Sequence, residues 1–527
     1  MPDAVVIGAG PNGLVAANLL ADRGWDVVVL EAQDAPGGAV KSAELVEPGF
    51  VNDVFSAFYP LGVASPVLRS LDLDAFGLRW MRAPLALAHP ASDGTCPVLS
   101  MDIEETAAAL DRDTPGDGDG WRRLYGRWER MGGPLLDCLL SPFPPVKGGL
   151  GLVAAHRPSE LADLARFLML SVRRLGHETF AGEEGRRLLA GCALHTDLFP
   201  ESAIGGMVGW LLAALGQDVG WPVPEGGAGR LTDALVARLQ KAGGRVECSA
   251  PVASVVVRGG RAVAVRTAAG DEVDATRAVV ADVAAPPLFL DLVGADHLPA
   301  RFVDALGRFE WDHATVKVDW TLDGPIPWEA EDARRAGTVH LTESVDALTV
   351  QAAQLALGLV PDPLFLIVGQ QGLADPSRAP AGKQAAWAYT HVPQHVLGDA
   401  GDSGITGAWD DAEAGAMADR IEAEIEVLAP GFGALIRGRH VLTPPGLEAA
   451  NANLVGGATN GGTGQLHQQL VFRPVPGTGR AETPVAGLFL GSSSAHPGGG
   501  VHGACGANAA RAALVADRLR LRRTRRG

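Results

Sequence analysis

Three glycines near the N-terminus are spaced to bind a phosphate group. Gly8, Gly10 and Gly13 directly follow the apolar residues 4–7 and precede residues 14–23, which have helical periodicity. In such a loop the first glycine permits a tight turn and the second lets the backbone approach a pyrophosphate. The third lets the helix pack on the sheet. The start of the helix then presents free N–H groups and a partial positive charge to the anion.

A carboxylate follows at the position where the ribose of a dinucleotide is expected. Glu31 ends a second apolar run, residues 25–30, and lies about 20 residues beyond the glycines. A carboxylate there favours a ribose with a free 2′-hydroxyl over one with a 2′-phosphate. Gly24 is placed to end the intervening helix. Strand, glycines, helix, strand and acid in register predict a Rossmann βαβ unit.

Two further segments favour FAD over NAD as the dinucleotide. Gly37 and Gly38 form a second glycine pair shortly after Glu31, where free backbone can approach the cofactor phosphates and ribitol; a plain Pro-Gly turn is the alternative. Near the C-terminus a predicted strand, residues 487–491, enters a loop of small residues that ends in a helix from about Gly503. Such a loop lets a planar ring lie against backbone, with the helix N-terminus facing the pyrimidine edge. The predicted FAD contacts are Gly8, Gly10, Pro11, Asn12, Gly13, Glu31, Ala32, Gly37, Gly38, Ala39, Val252, Gly491, Ser492, Gly499, Gly500 and Val501.

The pattern of elements predicts an α/β protein whose FAD-binding Rossmann-type domain is discontinuous in sequence. The expected architecture is the glutathione-reductase-like flavoprotein fold, with a mixed α+β substrate domain and a helical cap. The FAD-binding domain is assigned residues 1–76, 223–290 and 451–527, a mainly helical substrate or cap insertion residues 77–222, and the substrate domain residues 291–450. Helices are predicted at residues 161–175 and 231–242, and around the apolar face of Met417, Ile421, Ile425 and Leu428. Strands are predicted at residues 252–257, 261–267 and 272–281.

Composition excludes several classes of function. The formal net charge is -17 and the pI is about 5.2, which argues against a nucleic-acid partner. The five cysteines contain no CxxC pair, so the sequence predicts neither a local redox disulfide nor a metal site. Scattered thiols suit a reducing cytosol. No signal peptide and no membrane-spanning run is expected, and the predicted location is cytoplasmic.

Weak attachment to a membrane surface is a second expectation. The basic tail, residues 518–527, could attract anionic headgroups. Apolar residues of the predicted 161–175 helix lie close to the basic pair Arg173 and Arg174. These apolar residues are Leu164, Phe167, Leu168 and Leu175. A frayed tail and a helix face packed in the core are the alternatives.

Taken together, these segments resemble the phytoene-desaturase-like FAD-dependent oxidoreductases, with the PYROXD2-like branch closest. The resemblance spans nearly the whole chain. It rests on residues 5–42, 48–50, 224–227, 456–457, 461–462, 472–474 and 496–506, with Asp53 and Leu231, and for the branch on residues 56–61 and 337–341. Two positions depart from the pattern: Ser492 stands where many relatives have an acid that meets the ribitol, and Ala458 stands where an aspartate is expected.

The resemblance implies hydride transfer between flavin N5 and an apolar, isoprenoid- or lipid-like substrate, in either direction, at a carbon–carbon bond. The candidate catalytic groups are His496 and His502 as bases and Arg473 as a polarising cation, with backbone-bonded imidazoles and a salt bridge as the alternatives. A single dinucleotide fingerprint implies an external electron acceptor, a quinone or oxygen. Amine oxidation is a rival activity, disfavoured because residues 492–506 contain no aromatic cage. A non-catalytic flavin-bound chaperone or assembly protein also stays open. The oligomeric state is left undecided.

Overall fold

The computed structural model describes residues 1–524. The strands are β1 (Ala4–Ile7), β2 (Val27–Leu30), β3 (Ser42–Ala43), β4 (Asn52–Asp53), β5 (Trp80–Met81), β6 (Leu85–Ala88), β7 (Val98–Leu99), β8 (Val223–Pro224), β9 (Arg245–Glu247), β10 (Val252–Arg258), β11 (Arg261–Thr267), β12 (Glu272–Asp274), β13 (Ala278–Ala281), β14 (Ala314–Leu322), β15 (Ala336–Leu341), β16 (Leu359–Val360), β17 (Leu366–Gly369), β18 (Gln384–Val392), β19 (Gly398–Asp399), β20 (Ile436–Leu442) and β21 (Leu488–Leu490). The helices are α1 (Pro11–Ala21), α2 (Pro60–Ala64), α3 (Pro66–Arg69), α4 (Ile103–Asp113), α5 (Asp117–Leu140), α6 (Val146–Ala154), α7 (Leu161–Met169), α8 (Val172–Thr179), α9 (Glu183–Ala193), α10 (Gly205–Asp218), α11 (Gly229–Lys241), α12 (Ala300–Leu306), α13 (Val345–Ala356), α14 (Asp411–Leu428), α15 (Phe432–Leu435), α16 (Pro444–Ala450) and α17 (Ala504–Thr524).

A parallel sheet of short, buried, Val-rich strands forms the centre of the Rossmann domain. Its strand order is β21-β13-β1-β2-β9, and each neighbouring pair is parallel. Val5 of β1 lies between Val28 of β2 and Val279 of β13. Apolar residues on both faces of these strands are buried, as expected where helices cover a parallel sheet on either side. The strands come from three separate parts of the chain, which confirms the predicted discontinuous Rossmann fold.

A second, larger sheet supplies the surface on which the candidate site is built. Its strand order is β20-β14-β18-β17-β15-β6-β7, antiparallel except between β15 and β6. Every residue of β14 is buried, so both faces of this strand are covered. One face packs against α14, whose Met417, Ile421 and Ile425 are fully buried as the periodicity predicts. The opposite face packs against a layer of helices, α4 to α10, which the chain inserts between β7 and β8.

The helix predicted over residues 161–175 is in fact two helices, α7 and α8. The chain leaves α7 at Leu170, and Ser171 then caps α8 by accepting a hydrogen bond from the N–H of Arg174. A serine at this position competes for backbone hydrogen bonds and is favoured at a helix start over a helix interior. The proposed lipid-facing residues instead pack inward: Leu164, Phe167 and Leu175 are buried and Leu168 is half-buried.

The basic residues offered as membrane contacts are also engaged within the protein. Arg173 donates to Glu201 and Asp346 at 2.7 Å each. Residues 525–527 of the predicted basic tail lie outside the described residues, and α17 forms the preceding part. Between residues 1 and 524, no helix combines the length and the apolar character needed to cross a bilayer.

The strand predicted over residues 272–281 also divides into two. β12 joins the small antiparallel sheet β10-β11-β12, whereas β13 enters the parallel sheet beside β1. Residues 275–277 lie between them and carry the chain from one sheet to the other. The predicted helix at residues 231–242 and the strands at residues 252–257 and 261–267 match α11, β10 and β11 closely.

Candidate functional site

A cavity of about 380 Å³ lies where the Rossmann domain, the large sheet and the helical layer meet. The Rossmann side contributes backbone of the predicted FAD loops. The residues on this side are Gly10, Pro11, Asn12, Gly38, Ala39, Gly499, Gly500 and Val501. These come from three predicted segments that are remote in sequence, so the fold brings together half of the predicted FAD contacts in one cavity wall.

The large sheet contributes aromatic and charged side chains to the same cavity. Lys317 on β14 pairs with Tyr389 on β18, and Asp319 pairs with Trp387 two residues along. Because side chains alternate along a strand, these four positions project from the same face of the sheet. Trp387 and Tyr389 stack with ring centroids 5.9 Å apart and line the cavity together with Lys317.

Lys317 brings a buried positive charge to this wall. Its Nζ donates to the backbone oxygen of Asp53 at 3.0 Å and forms an ion pair with Asp319, and it lies 5.7 Å from the centroid of the Trp387 ring. Burial raises the pKa of Asp319, and the adjacent Lys317 opposes that rise. Asp53 is one of the residues that carry the family resemblance, and its carboxylate accepts a hydrogen bond from Arg378 at 3.0 Å.

Helix α10 forms an aliphatic wall of the cavity. Val208, Leu211, Leu212 and Leu215 are spaced i, i+3, i+4 and i+7, so they form one stripe along the helix. This stripe and the aromatic pair Trp387 and Tyr389 of the sheet line the same cavity. The chamber between these walls therefore offers apolar surface to a ligand.

The N-terminal glycine loop has the close approaches that the fingerprint requires. A side chain on Gly10 would come 2.5 Å from Oδ2 of Asp282, and one on Gly13 would collide with the backbone oxygen of Gly8. Gly38 lies so close to Gly10 that its Cβ would be 2.9 Å from the Gly10 Cα. The two glycine segments thus touch at the predicted pyrophosphate position, and the carboxylate of Asp282 lies beside them.

Asp282, which follows β13, is an unpredicted carboxylate in this loop. It accepts the N–H of Gly13 at 2.8 Å and lies on the cavity wall. Burial raises its pKa to about 7; the Gly13 N–H opposes the rise and the negative charge of Glu31 adds to it. The Gly13 N–H, which the fingerprint predicts to face a phosphate, therefore donates to Asp282, a side chain whose pKa lies close to neutral.

Glu31 lies at the end of β2, as predicted, and is held by backbone donors. Its Oε2 accepts from the N–H of Ala9 at 2.7 Å, and its Oε1 accepts from Gln33 at 2.9 Å. The carboxylate is thereby fixed beside the glycine loop, in the position expected for a ribose partner. Ala32, by contrast, is exposed.

Val252, Gly491 and Ser492 do not line the cavity. Val252 starts β10, and Ala250 just before it donates to the backbone oxygen of Glu31. Gly491 donates to the oxygen of Ala281, and the buried Ser492 accepts the N–H of Ser494 at 3.3 Å; neither is on the cavity wall, whereas Ser493 is.

Helix α17 begins beside helix α1. Gly506 packs directly on the backbone of Asn12, where any side chain would collide. The first amide of α17, at Ala504, donates to Nδ1 of His502 at 3.0 Å. The two helix N-termini therefore lie side by side at the predicted cofactor position, and His502 takes up one amide of the second.

The two predicted bases are not on the cavity wall. Besides holding the Ala504 amide, His502 is 2% exposed, and burial lowers its pKa to about 4. His496 is also buried, and its Nε2 lies 3.0 Å from the backbone oxygen of Ser141. Both imidazoles bond to backbone, which corresponds to the alternative considered for each.

Arg473 forms no salt bridge to a residue between 1 and 524, so the alternative considered for it is not observed there. Its guanidinium, fully buried, donates to backbone oxygens in two loops, Asn460, Gly461, Gly462 and Thr463 in one and Ser493 in the other. Asn460, Gly461 and Ser493 line the cavity, so Arg473 fixes the shape of that wall.

A carboxylate from elsewhere in the chain binds the loop that follows Ala458. Asp312 accepts the N–H groups of Thr459, Asn460 and Gly462 at 2.8–3.1 Å. Burial raises the pKa of Asp312 to about 6, with Asp197 adding to the rise and the three amides opposing it. Asp312 therefore holds the loop that follows Ala458.

Sequence reasoning missed Lys317, Asp282, His195 and the aromatic pair. A signal existed for some of them: Lys317 and Asp319 alternate with valines in β14, and Trp387 and Tyr389 alternate with alanines in β18. Such alternation predicts a strand with one functional face. The pairing of β14 with β18 across a long separation carries no local signal.

Comparisons with known proteins agree with this geometry. Residues 6–71 match the model of an NAD(P)-binding Rossmann-like domain, and residues 144–385 match that of flavin containing amine oxidoreductases. Pyridine nucleotide-disulfide oxidoreductase domain-containing protein 2 of Rattus norvegicus is 30% identical over 96% of this chain and 92% of its own. This chain belongs to that protein's family.

More distant similarities point to the same superfamily. The phytoene desaturase (neurosporene-forming) of Cereibacter sphaeroides is 25% identical over 99% of this chain and 96% of its own. Among solved structures, an oxidoreductase from Methanosarcina mazei aligns with a TM-score of 0.63 at 15% identity, over 97% of this chain and 99% of its own. Cyclohexylamine oxidase from Brevibacterium oxydans aligns with a TM-score of 0.59 at 16% identity, over 98% and 99%. The predicted resemblance and fold class are confirmed.

The protein is a flavin-containing oxidoreductase, and its cofactor is FAD. The glycine contacts fit this cofactor, because the backbone of two glycine loops and two helix N-termini converge beside Glu31. Gly10 and Gly38 would hold the pyrophosphate, Glu31 the ribose, and residues 499–501 the flavin ring. When bound, FAD supplies a two-electron hydride acceptor or donor at the cavity.

Proposed function

We propose that this flavin oxidoreductase acts on an apolar, isoprenoid- or lipid-like substrate and makes or removes a carbon–carbon double bond. The observation that carries the proposal is the chamber itself. The aliphatic stripe of α10, including Leu211 and Leu215, joins Trp387 and Tyr389 in its lining beside the flavin-binding glycines. Such walls bind hydrocarbon by excluding water and offer few partners to a polar substrate.

The protein's own contribution is to orient the substrate and keep the cavity dry. Packing between the α10 stripe and the aromatic pair would align an extended chain along the cavity wall. The ammonium of Lys317 is buried and forms an ion pair with Asp319, so it should bring few water molecules into the cavity. The Cereibacter relative is named a phytoene desaturase, and similarity to it over nearly the whole chain favours chemistry at carbon–carbon bonds.

Amine oxidation is the second candidate, and the stacked Trp387 and Tyr389 favour it. Aromatic faces attract cations, and the cyclohexylamine oxidase structure shares this fold. Lys317 already places a cation over Trp387, however, and repels a protonated amine. Within residues 1–524 the cavity lining includes a single carboxylate, Asp282, which lies at the glycine loop and not beside the aromatic pair.

We propose an external electron acceptor, a quinone or oxygen. The described chain contains one Rossmann sheet of this type. A further glycine cluster, at residues 148–151, lies within helix α6 and not in the strand-to-helix turn that a second nucleotide site requires. A second pyridine-nucleotide domain would need its own strand, glycine loop and helix.

Anaerobic flavin bleaching by matched donors tests the proposed function. The FAD-loaded protein is mixed with geranylgeraniol, with squalene and with geranylgeranylamine, which has the chain of the first and the charge of an amine. We expect bleaching by an uncharged isoprenoid at least tenfold faster than by the amine. The Leu212→Glu variant should not be bleached by the uncharged isoprenoid, because a carboxylate interrupts the aliphatic wall. Leu519→Glu, on the exposed face of α17, serves as the control. Rapid bleaching by the amine alone would overturn the proposal.

A further inference from the structure

A histidine pair in the cavity wall has no role in the chemistry described above. Nε2 of His195 lies 2.9 Å from Nε2 of His340, although the two residues are 145 positions apart. His195 follows helix α9 and lines the cavity, whereas His340 lies on β15 and is fully buried. Between residues 1 and 524, no group of three potential ligands is arranged to hold a metal ion.

Helix α9 passes close to these rings because it carries a glycine at the point of contact. A Cβ on Gly191 of α9 would lie 2.5 Å from Nδ1 of His340 and 3.2 Å from Cε1 of His89. Only a residue without a side chain permits the helix to pass this close to both imidazoles. The His89 ring follows β6 and lies 5.6 Å from the His340 ring in an edge-on arrangement.

The hydrogen bond between the two histidines can run in either direction. Two Nε2 atoms at this distance share one hydrogen, so one ring donates and the other accepts. If His195 donates through Nε2, its Nδ1 carries a lone pair. Within residues 1–524 that nitrogen makes no hydrogen bond, and His195 is on the cavity wall.

The surroundings keep both rings neutral, so each ring has one nitrogen that carries a lone pair. Burial lowers the pKa of His195 to about 3, with His391 adding to the effect. Burial also lowers the pKa of His340 well below its usual range, with His195 and His89 contributing. The titratable and charged groups around the pair are His89, Arg187, His391 and Cys192 and, elsewhere on the cavity wall, Lys317. One isolated imidazole in this setting holds an added proton poorly, whereas two can share it.

We propose that His195 is the proton acceptor of the substrate cavity, and that His340 holds it in the tautomer that exposes Nδ1 and then shares the accepted proton. The proposal rests on the proposed function. In a desaturation, one carbon of the substrate loses hydride, with two electrons, to the flavin oxidant. The neighbouring C–H bond breaks, its electron pair becomes the new π bond, and its proton forms an N–H bond at Nδ1 of His195. The Nε2 hydrogen then moves to His340, and saturation runs the same steps in reverse.

Imidazole nitrogen NMR of the FAD-loaded protein tests the tautomer without any substrate. With histidine labelled in ¹⁵N and signals assigned by variants, we expect Nδ1 of His195 to carry no hydrogen near neutral pH. His340→Gln keeps an acceptor and should preserve that signal, whereas His340→Phe keeps volume but no acceptor and should lose it. His156→Asn, a histidine outside the cavity, is the assignment control. A hydrogen on Nδ1 in the wild type would overturn the proposal.

Anaerobic bleaching by the best donor of the isoprenoid panel tests the proton transfer. We expect His195→Asn to slow bleaching by about 10²- to 10⁴-fold with FAD content and visible spectrum unchanged. His340→Phe should slow it by about 10- to 100-fold, and His340→Gln by less than about fivefold. Bleaching of His195→Asn at the wild-type rate would refute the inference. If no donor bleaches the wild type and no isoprenoid reoxidises its reduced flavin, the proposed function fails, and the NMR result alone then decides whether the exposed acceptor exists.

Discussion

Replacing Asp282 by asparagine should make FAD binding independent of pH. The carboxylate accepts the Gly13 N–H and lies within 2.5 Å of where a Gly10 Cβ would be, so it adjoins the position assigned to the FAD pyrophosphate. Its ionised form repels that anion, whereas its protonated form can donate to it. Asparagine keeps the shape and a donor but cannot ionise.

The magnitude follows from proton linkage. With the pKa of Asp282 raised by burial to about 7, the wild type must take up a proton to bind FAD above neutral pH. If only the protonated form binds, the apparent Kd rises about tenfold per pH unit, so the wild type should bind about 10-fold more weakly than Asp282→Asn at about pH 8 and about 100-fold more weakly at about pH 9. The two should agree within about twofold at about pH 6.

The apoprotein provides an independent check with a worked sign. Because the folded pKa lies above the value of an unfolded aspartate, the folded chain holds a proton that the unfolded chain releases. The stability associated with this proton is present below about pH 4 and is lost as pH rises through about 7. Asp282→Asn should therefore gain melting temperature relative to wild type over that window.

Fluorescence quenching of FAD titrated into apoprotein measures the affinity at each pH. Asp291→Asn, an exposed aspartate beyond the same strand, is the matched control and should follow the wild type. A wild-type Kd that does not change between about pH 6 and about pH 9, or an equal pH dependence in Asp282→Asn, would refute the reasoning.

Three further outcomes follow from the site. Gly10→Val should lower FAD content at least about tenfold, because its side chain meets Asp282, whereas Gly126→Ala on an open helix face should leave the absorbance of bound flavin unchanged. Arg473→Met leaves the carbonyl groups of two loops without their donor and should lower the free energy of unfolding, measured by chemical denaturation, by about 3 kcal/mol or more. The exposed Arg480→Met is the control and should change it by no more than about 0.5 kcal/mol. A small loss for Arg473→Met would mean that the loops keep their shape without this side chain. NADPH should not bleach the flavin at catalytic speed in stopped flow, and rapid bleaching would reveal a second nucleotide site.

Local sequence predicted the cofactor domain because its signals are local. The turn glycines Gly8, Gly10 and Gly13 and the acid Glu31 lie within a single βαβ unit, and the packing of that unit decides their roles. The serine at Ser171 was the local signal that breaks the predicted cap helix, and it was outweighed by the apolar periodicity around it.

The cavity could not be predicted in the same way because its walls form through distant pairing. Lys317 meets Tyr389 only through the register of β14 on β18, and His195 meets His340 only where the helical layer packs on the sheet. His502 lies at the start of α17, directly after the glycine-rich loop. The orientation of the His502 ring depends on its hydrogen bond from the Ala504 amide of α17, which the sequence pattern does not predict.

The most direct test of the central claim is the product of one anaerobic turnover. FAD-loaded protein in excess over geranylgeraniol, or the flavin-reduced protein with the same alcohol, is quenched and its lipid extract is identified by mass spectrometry. We predict a product with one carbon–carbon double bond more in the first case, or one fewer in the second, and with the hydroxyl group retained. Conversion of the alcohol to its aldehyde, or turnover of geranylgeranylamine alone, would contradict the proposed chemistry.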